Sequence, residues 1–599
     1  MGRGVSFPCM DHGPTEENPL QAPERQLAQA IALGAGQWRK LQESANSLFD
    51  PFGMLAPILH AHLVWMLHPL ELFDLIGRNA VELMALQLHS AARLGGKPGP
   101  DLVAPQADDM RFADPVWTQE VQWSLLKQWY LFHTRHVQDA LFATPWLAPH
   151  ERRRAAFWWR KWLNAVAPTN FFWTNPVAMR KAIETRGESL RRGSELFLED
   201  LRAGTVRMAA AEDFQVGGNL ATTPGAVIFR NRLMELIRYT PVASAVHAVP
   251  VVIVPPWINK YYVLDLTPQK SMVQFLLGRG FDVYMVSWKN PSSDMAEVNF
   301  DDYLVQGVDE AVRVARALSG AGHVHAVGYC IGGTLLAVYM AWLNRRHARR
   351  EDVPVSSWTL LATLTDFQSP GDIEVFLDEG GVRWLADLMR RRGFLDGREM
   401  AATFRLLRSN SLIWHYVVHG WLYGEAPAPW DVLYWNMDAT RLPYRMHEYY
   451  LREMYLKNNL VKRDALTVAG EPIDLARIQQ PLYDVSAEDD HIAPWRQTFK
   501  INGYVTSPKR FVLSSSGHIL GIVNPPVAPP KRSYRIGPAH RGQSADHWHA
   551  QAQRRAGSWW EDWSEWLAEH CGPPGAPSPL ESADFPRLGD APGRYVRES

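Results

Sequence analysis

Between residues 251 and 364, short apolar runs alternate with helical patterns, and this alternation leaves few folds open. Val251–Val254 is a β-branched run, and Phe281–Trp288, His323–Gly328 and Ser357–Leu364 are three more. Thr267–Leu277, Asp301–Leu318 and Thr334–Arg346 carry helical spacing between them. Strands that are apolar on both faces and separated by helices form a parallel sheet covered on both sides. Shorter β-type runs precede the alternation at Ala226–Arg230 and Leu236–Thr240. It resumes at Ile478–Val485 and Arg510–Leu513. The predicted fold class is α/β.

The rest of the chain is organised around this sheet. Residues 24–205 predict a helical N-terminal domain, with apolar positions at helical spacing in Val64–Leu94, Pro115–Phe142, Arg152–Val166 and Ala178–Arg202. Residues 206–571 form the expected catalytic domain. Within it, residues 366–475 are helical and aromatic, with Trp384, Trp414, Trp421, Trp430 and Trp435, and predict a cap or lid over the sheet. A helix over Gly557–His570 carries four further tryptophans. The polar segment 1–23 and the Pro/Gly/Ser-rich segment 572–599 are expected to be disordered. Phe52–Gly77 is apolar, but Pro57, His60, His62, His68 and Pro69 interrupt it. It reads as an amphipathic helix pair and falls short of a transmembrane segment.

Composition excludes several function classes. The 62 basic and 63 acidic residues nearly cancel, which argues against nucleic-acid binding. Cys9, Cys330 and Cys571 lie far apart, so neither a disulfide framework nor a CxxC metal site is expected, and a reducing, cytoplasmic compartment is the default.

One cysteine sits in a chemical motif. Gly328-Tyr329-Cys330-Ile331-Gly332-Gly333 lies between a predicted strand and a predicted helix. This is the nucleophile-elbow pattern with Cys in place of Ser. The turn is tight, so side chains two residues before or after the nucleophile would strike neighbouring backbone. The helix N-terminus points at the site and favours a thiolate, and the Ile331 amide is placed to donate to an oxyanion. In an α/β-hydrolase fold the order is nucleophile, acid, histidine. Asp490 follows one predicted strand and His518 follows the next. His518 is the expected general base and Asp490 its orienting acid. Asp489 competes for the acid role, and His491 is either a second catalytic histidine or a structural loop residue. Pro255-Pro256-Trp257-Ile258-Asn259-Lys260 follows the first sheet strand, where a second oxyanion donor arises in such folds. The arginine groups 345–346, 349–350 and 390–392 read as solvated helix ends rather than phosphate sites.

From about residue 50 to about 570 the chain resembles the polyhydroxyalkanoate synthases of the single-subunit, class I type. The resemblance rests on the elbow, Asp490-His491-Ile492-x-Pro494-Trp495, Gly517-His518-Ile519 before Asn524-Pro525-Pro526, and residues 255–260. Asn219–Gly225, Trp435-Asn436-x-Asp438 and Arg111-Phe112-Ala113-Asp114-Pro115-x-Trp117 also match family patterns. One departure is Asp489, where the family commonly has Glu. The resemblance implies an α/β-hydrolase catalytic domain with a cap, preceded by a helical domain, and a triad of Cys330, His518 and Asp490. It implies transfer of (R)-3-hydroxyacyl groups, short-chain units such as 3-hydroxybutyryl, from coenzyme A onto a growing polyester. Acyl-CoA is then a substrate, and no separate cofactor or metal is expected. A homodimer at the polymer granule, with granule coat proteins as possible partners, goes with this reading. The competing readings are a Cys-type hydrolase or thioesterase and an inactive granule-associated scaffold.

Overall fold

The computed structural model describes residues 55–106, 109–145 and 147–599. The segment 1–23 lies outside them. Eleven strands build one sheet: β1 (Gly225–Arg230), β2 (Met234–Tyr239), β3 (Val251–Val254), β4 (Val283–Trp288), β5 (Val324–Tyr329), β6 (Val355–Leu361), β7 (Leu482–Ala487), β8 (Lys509–Ser514), β9 (Ser533–Pro538), β10 (Gln553–Ala556) and β11 (Gly589–Asp590). Their spatial order is β10-β9-β8-β7-β6-β5-β3-β4-β2-β1-β11. The six central strands, β4 to β8 in this order, are mutually parallel, and the strands beyond them at both ends are antiparallel.

The period-2 geometry of strands explains the two cores. Val252 and Val254 of β3 join one apolar cluster, and Val251 and Ile253 join the other, on the opposite face. The first face holds the long helix after β5, Ile331–Arg346, whose residues are buried almost all round, as expected of a helix enclosed by protein. The other face holds helix Trp559–His570. Its Trp559, Trp560 and Trp563 are buried, and each indole N–H donates to a partner: Gly521 O, Ile522 O and Thr359 Oγ1.

Several expectations need correction. The segment 572–599 is not disordered: β11 pairs with β1, Pro574–Gly575 pairs with Val246–His247, and Tyr595 and Val596 are buried. The physical reason is the demand of the sheet. Arg238, fully buried in β2, is satisfied by Asp282 together with the carbonyls of Ser578 and Pro579, so the tail supplies acceptors that the core lacks. The Pro-rich composition after Asn524 also concealed β9 and β10, which extend the sheet past β8. The helix expected to begin at Asn175-Pro176 and run through Arg202 does begin there but is two helices, Pro176–Glu184 and Glu188–Ala203, broken at Gly187, whose φ of 86° lies in the left-handed region.

At the N-terminus, α1 (Leu55–Leu67) and α2 (Pro69–Leu94) form the expected pair, divided at His68-Pro69. Their apolar residues are not all turned inward: Leu63, Met66, Leu70, Phe73, Ile76 and Leu88 are exposed. No described helix is long and apolar enough to cross a membrane. Next come α3 (Val121–Phe142) and α4 (Pro149–Ala165). The Arg111–Trp117 motif packs beside them: Arg111 bonds Asp109 and the Tyr130 hydroxyl, and Phe112 meets Trp117 edge-on at 5.0 Å.

Between β6 and β7 the chain leaves the sheet and forms the cap, with helices α5 (Glu379–Arg392), α6 (Gly397–Leu407) and α7 (Tyr444–Tyr450). Three stretches of it, Asn410–Trp414, Val418–Leu422 and Leu451–Leu456, are wound as π-helix. The N-terminal domain sits against this cap. Phe157 meets Phe376 at 5.5 Å, Arg153 pairs with Glu374, Arg154 with Asp378, and Trp421 donates to Asp200. The arginine groups are tied locally: Arg345 to Asp464, Arg349 to Asp352, Arg390 to Asp387 and Arg392 to Glu399.

Candidate active site

Cys330 follows β5 directly and caps the N-terminus of the helix Ile331–Arg346. Its backbone has φ 53° and ψ −123°, a strained conformation for a residue with a side chain. The flanking glycines make the turn possible. A Cβ on Gly328 would lie 2.5 Å from the Gly333 Cα, and one on Gly332 would lie 2.5 Å from the carbonyl oxygens of both Val254 and Pro255. The strand, the turn and the helix therefore pack backbone to backbone. The Cys330 amide donates to Leu361 O at 2.9 Å, which ties the elbow to the end of β6. The thiol is partly exposed.

Asp490 and His518 lie in the loops after β7 and β8, beyond the same edge of the sheet as Cys330. The structure brings all three together. Asp490 is 6% exposed. Its Oδ1 accepts from the amides of Ile492 at 2.8 Å and Ala493 at 2.9 Å, and its Oδ2 lies 2.6 Å from His518 Nδ1. With Nδ1 engaged, Nε2 is the nitrogen left on the ring, and the Cys330 sulfur is near enough to act on the charge of the imidazole. Burial opposes a charge on His518. The Asp490 carboxylate and the Cys330 sulfur outweigh it, and hold the imidazole well above its ordinary range.

Asp489 does not occupy the acid position; its amide donates to Ser516 O in the neighbouring loop. His491 lies beside the site without a place in this chain of bonds. Burial and the Arg408 charge push it down to about 4. Cys571 is buried and pushed up to about 12 by that burial. Cys9 lies outside the described residues.

Some residues of the site carried no signal in the sequence. Tyr329, the variable residue of the elbow, stacks on the His518 ring at 5.6 Å and donates to the His518 carbonyl at 3.2 Å. The amides of Ile492 and Ala493 were equally hidden, because a backbone donor has no side-chain identity. The role of two motifs also emerges only in three dimensions. Lys260 pairs with Asp438 at 2.8 Å, Tyr262 donates to the same carboxylate at 2.9 Å, and Trp435 donates to Lys260 O at 2.6 Å. The loop after β3 is thus bolted to the cap. A third motif is anchored nearby, where Thr223 and Ser271 both donate to buried Asp265, whose carboxyl burial lifts to about 6.

A cavity of about 260 Å³ opens beside Cys330. Ile258, Ile331 and Thr334 line it from the sheet domain, and Phe376, Leu385 and Phe404 line it from the cap. The lining is predominantly apolar. Cys330, His518 and Asp490 therefore meet at the strand ends, where Cys330 borders a largely apolar cavity shared with the cap.

Comparison with known proteins agrees with this geometry. Residues 108–276 match the family described as poly-beta-hydroxybutyrate polymerase (PhaC) N-terminus, and residues 249–525 match the alpha/beta hydrolase fold. The chain is 38% identical to a poly(3-hydroxyalkanoate) polymerase of Methylorubrum extorquens, over 97% of this chain and 99% of that one. It is 40% identical to the poly(3-hydroxyalkanoate) polymerase subunit PhaC of Cupriavidus necator, over 88% and 89% of the two chains. It is 38% identical to poly(3-hydroxyalkanoate) polymerase 2 of Ectopseudomonas oleovorans, over 85% and 90%. The chain belongs to the poly(3-hydroxyalkanoate) polymerase family, acyltransferase-type enzymes, here with an α/β-hydrolase sheet beneath a helical cap.

Proposed function

We propose that the protein polymerises (R)-3-hydroxyacyl-CoA, short-chain units such as 3-hydroxybutyryl-CoA, through an acyl-enzyme on Cys330. The observation that carries this reading is the Cys330–His518–Asp490 chain opening onto a capped apolar cavity. The Cys330 sulfur attacks the thioester carbonyl, and His518 holds the proton that the thiol gives up. The Ile331 amide, the first of its helix and without an intrahelical acceptor, donates to the oxyanion. Coenzyme A leaves as a thiol with that proton. One thioester replaces another, so the step is close to balanced.

The 3-hydroxyl of another unit or of the growing chain then attacks the acyl-enzyme. His518 takes its proton, the ester bond forms, and the Cys330 sulfur is released to accept the proton back. Asp490 keeps Nδ1 protonated and stabilises the imidazolium in both half-reactions. Water would hydrolyse the acyl-enzyme, so the apolar cap serves chain growth by excluding it. Coenzyme A is the leaving group of the substrate, and no resident cofactor enters the scheme. In the same reading the enzyme works in the cytoplasm, as a homodimer, at the surface of a polyester granule that coat proteins share.

The test is incubation with 3-hydroxybutyryl-CoA. Release of coenzyme A with accumulation of polyester is expected, and Cys330→Ala should abolish both. Coenzyme A release with only free acid formed would replace this reading by a thioesterase, and polymer formed by Cys330→Ala would overturn both enzymatic readings.

A further inference from the structure

His447, on α7 of the cap, borders the cavity that contains Cys330, is 3% exposed, and has no hydrogen-bond partner on either ring nitrogen. Elsewhere the protein buries a histidine differently. His325, in β5, is fully buried, with Nδ1 bonded to Ser357 at 2.8 Å and Nε2 to Thr359 at 2.9 Å. An imidazole enclosed without partners opposes folding, because it gives up water and receives nothing in return. Glu399, on α6, borders the same cavity, and its Oε2 is likewise buried without a partner while its Oε1 accepts from Arg392. A buried imidazole without a partner in the protein, lining an apolar cavity that also contains Cys330 and Glu399, is a polar spot that a ligand can complete.

We infer that His447 is a specificity-determining residue, which hydrogen-bonds the 3-hydroxyl of the acyl unit delivered to Cys330. This rests on the function proposed above and assigns a residue to the recognition of its substrate. The chemistry of the ring fits that group. Burial alone holds His447 down to about 4, so at neutral pH the ring is uncharged and offers one donor and one acceptor. A hydroxyl also donates once and accepts, whereas an ester carbonyl only accepts. One hydroxyl meets one ring nitrogen, as donor or as acceptor, and an acyl chain without it would leave that nitrogen unpartnered too. A site built to bond a hydroxyl discriminates strongly against the analogue that lacks it.

The experiment compares single-turnover acylation, read as coenzyme A release, with 3-hydroxybutyryl-CoA and with butyryl-CoA. The wild type should prefer the hydroxylated substrate. In His447→Met, similar in size and apolar, the preference should fall by about tenfold or more. His447→Gln, which keeps a donor and an acceptor, should retain a preference within about threefold of the wild type. Thermal melting adds a readout that a structural role would reverse: His447→Met should melt at or above the wild type, because it removes an unpartnered buried polar group. An unchanged preference in His447→Met would overturn the assignment. So would a marked fall in melting temperature or a failure to fold, since either would show the ring supporting the structure. If wild-type enzyme released no coenzyme A from 3-hydroxybutyryl-CoA, the proposed function would fail instead, and that outcome is separate from the variants.

Discussion

Asp490 at the strand ends accepts three hydrogen bonds, whereas His447, buried just as deeply beneath the cap, accepts and donates none. The two residues stand at opposite extremes of polar satisfaction. At the strand ends the backbone of the sheet fixes each loop, and amides, a ring and a carboxylate lock one histidine in one orientation. In the cap, helices are interrupted by π-helical turns, and Glu399 and Asn410 join His447 in leaving buried atoms unpaired. π-helical turns are frequent at functional sites, where they place side chains that a regular helix would not. The difference separates two tasks. Bond making needs groups held in place before the substrate arrives, and recognition of an acyl chain needs a surface that the chain itself completes.

The sharpest way to break this contrast is to remove the base. His518→Gln should lower polymerisation by about 10³- to 10⁴-fold, while His491→Gln should stay within about tenfold of the wild type. Initial rates of coenzyme A release would measure both, and equal losses would move the base from His518 to the pair. Asp490→Asn comes next. It keeps the acceptor for the amides of Ile492 and Ala493 but loses the carboxylate that supports the imidazolium. A hydroxyl yields its proton far less readily than a thiol, so elongation should slow by about 10²-fold or more and first acylation by less. Burst and steady-state rates on one preparation separate the two steps, and equal slowing would count against the division of labour.

Lys260→Met tests whether the cap is bolted to the sheet or merely rests on it. The ammonium is almost fully buried and pairs with Asp438. Its loss should cost about 1–3 kcal/mol by chemical denaturation, because Asp438 is left to Tyr262 alone. No change would mean that the cap is held by apolar packing. The smallest effect is one of pH. The folded state holds His447 at about 4, below the ordinary value of an imidazole. The unfolded chain therefore binds the extra proton between about pH 6.5 and 4, and stability is lost as pH falls through that window. His447→Met should abolish this part of the acid-side loss, on the order of 1–3 kcal/mol at pH 4. A stability–pH curve parallel to that of the wild type would show that the ring titrates freely.

Much of the strand-end apparatus was legible in the residues. Gly328, Cys330 and Gly332 read as an elbow because only that spacing lets a strand, a turn and a helix pack backbone to backbone. The loops after two later strands had to contain the acid and the base, since a parallel sheet gathers such loops at one edge. The sequence favoured Asp490 over Asp489, but not the reason, which is that the Ile492 and Ala493 amides hold the Asp490 carboxylate. Tyr329 was hidden in a variable position, and its role depends on where the β8 loop crosses the elbow. The ordered tail was misread for a related reason. Its composition lacks the apolar content of a core segment, but the buried guanidinium of Arg238 and the open edge of β1 give it acceptors to supply and a strand to pair with.

The sequence by itself determined the alternation of strands and helices in the central sheet, the elbow around Cys330 and the family, because these follow from local periodicity, steric need at a turn and recurring motifs. Only the tertiary structure decided that the Ile492 and Ala493 amides hold Asp490, that Lys260 and Asp438 join two distant motifs, and that His447 borders the cavity without a protein partner. Those are facts of pairing and desolvation, and they exist only once segments far apart in the chain have packed against one another.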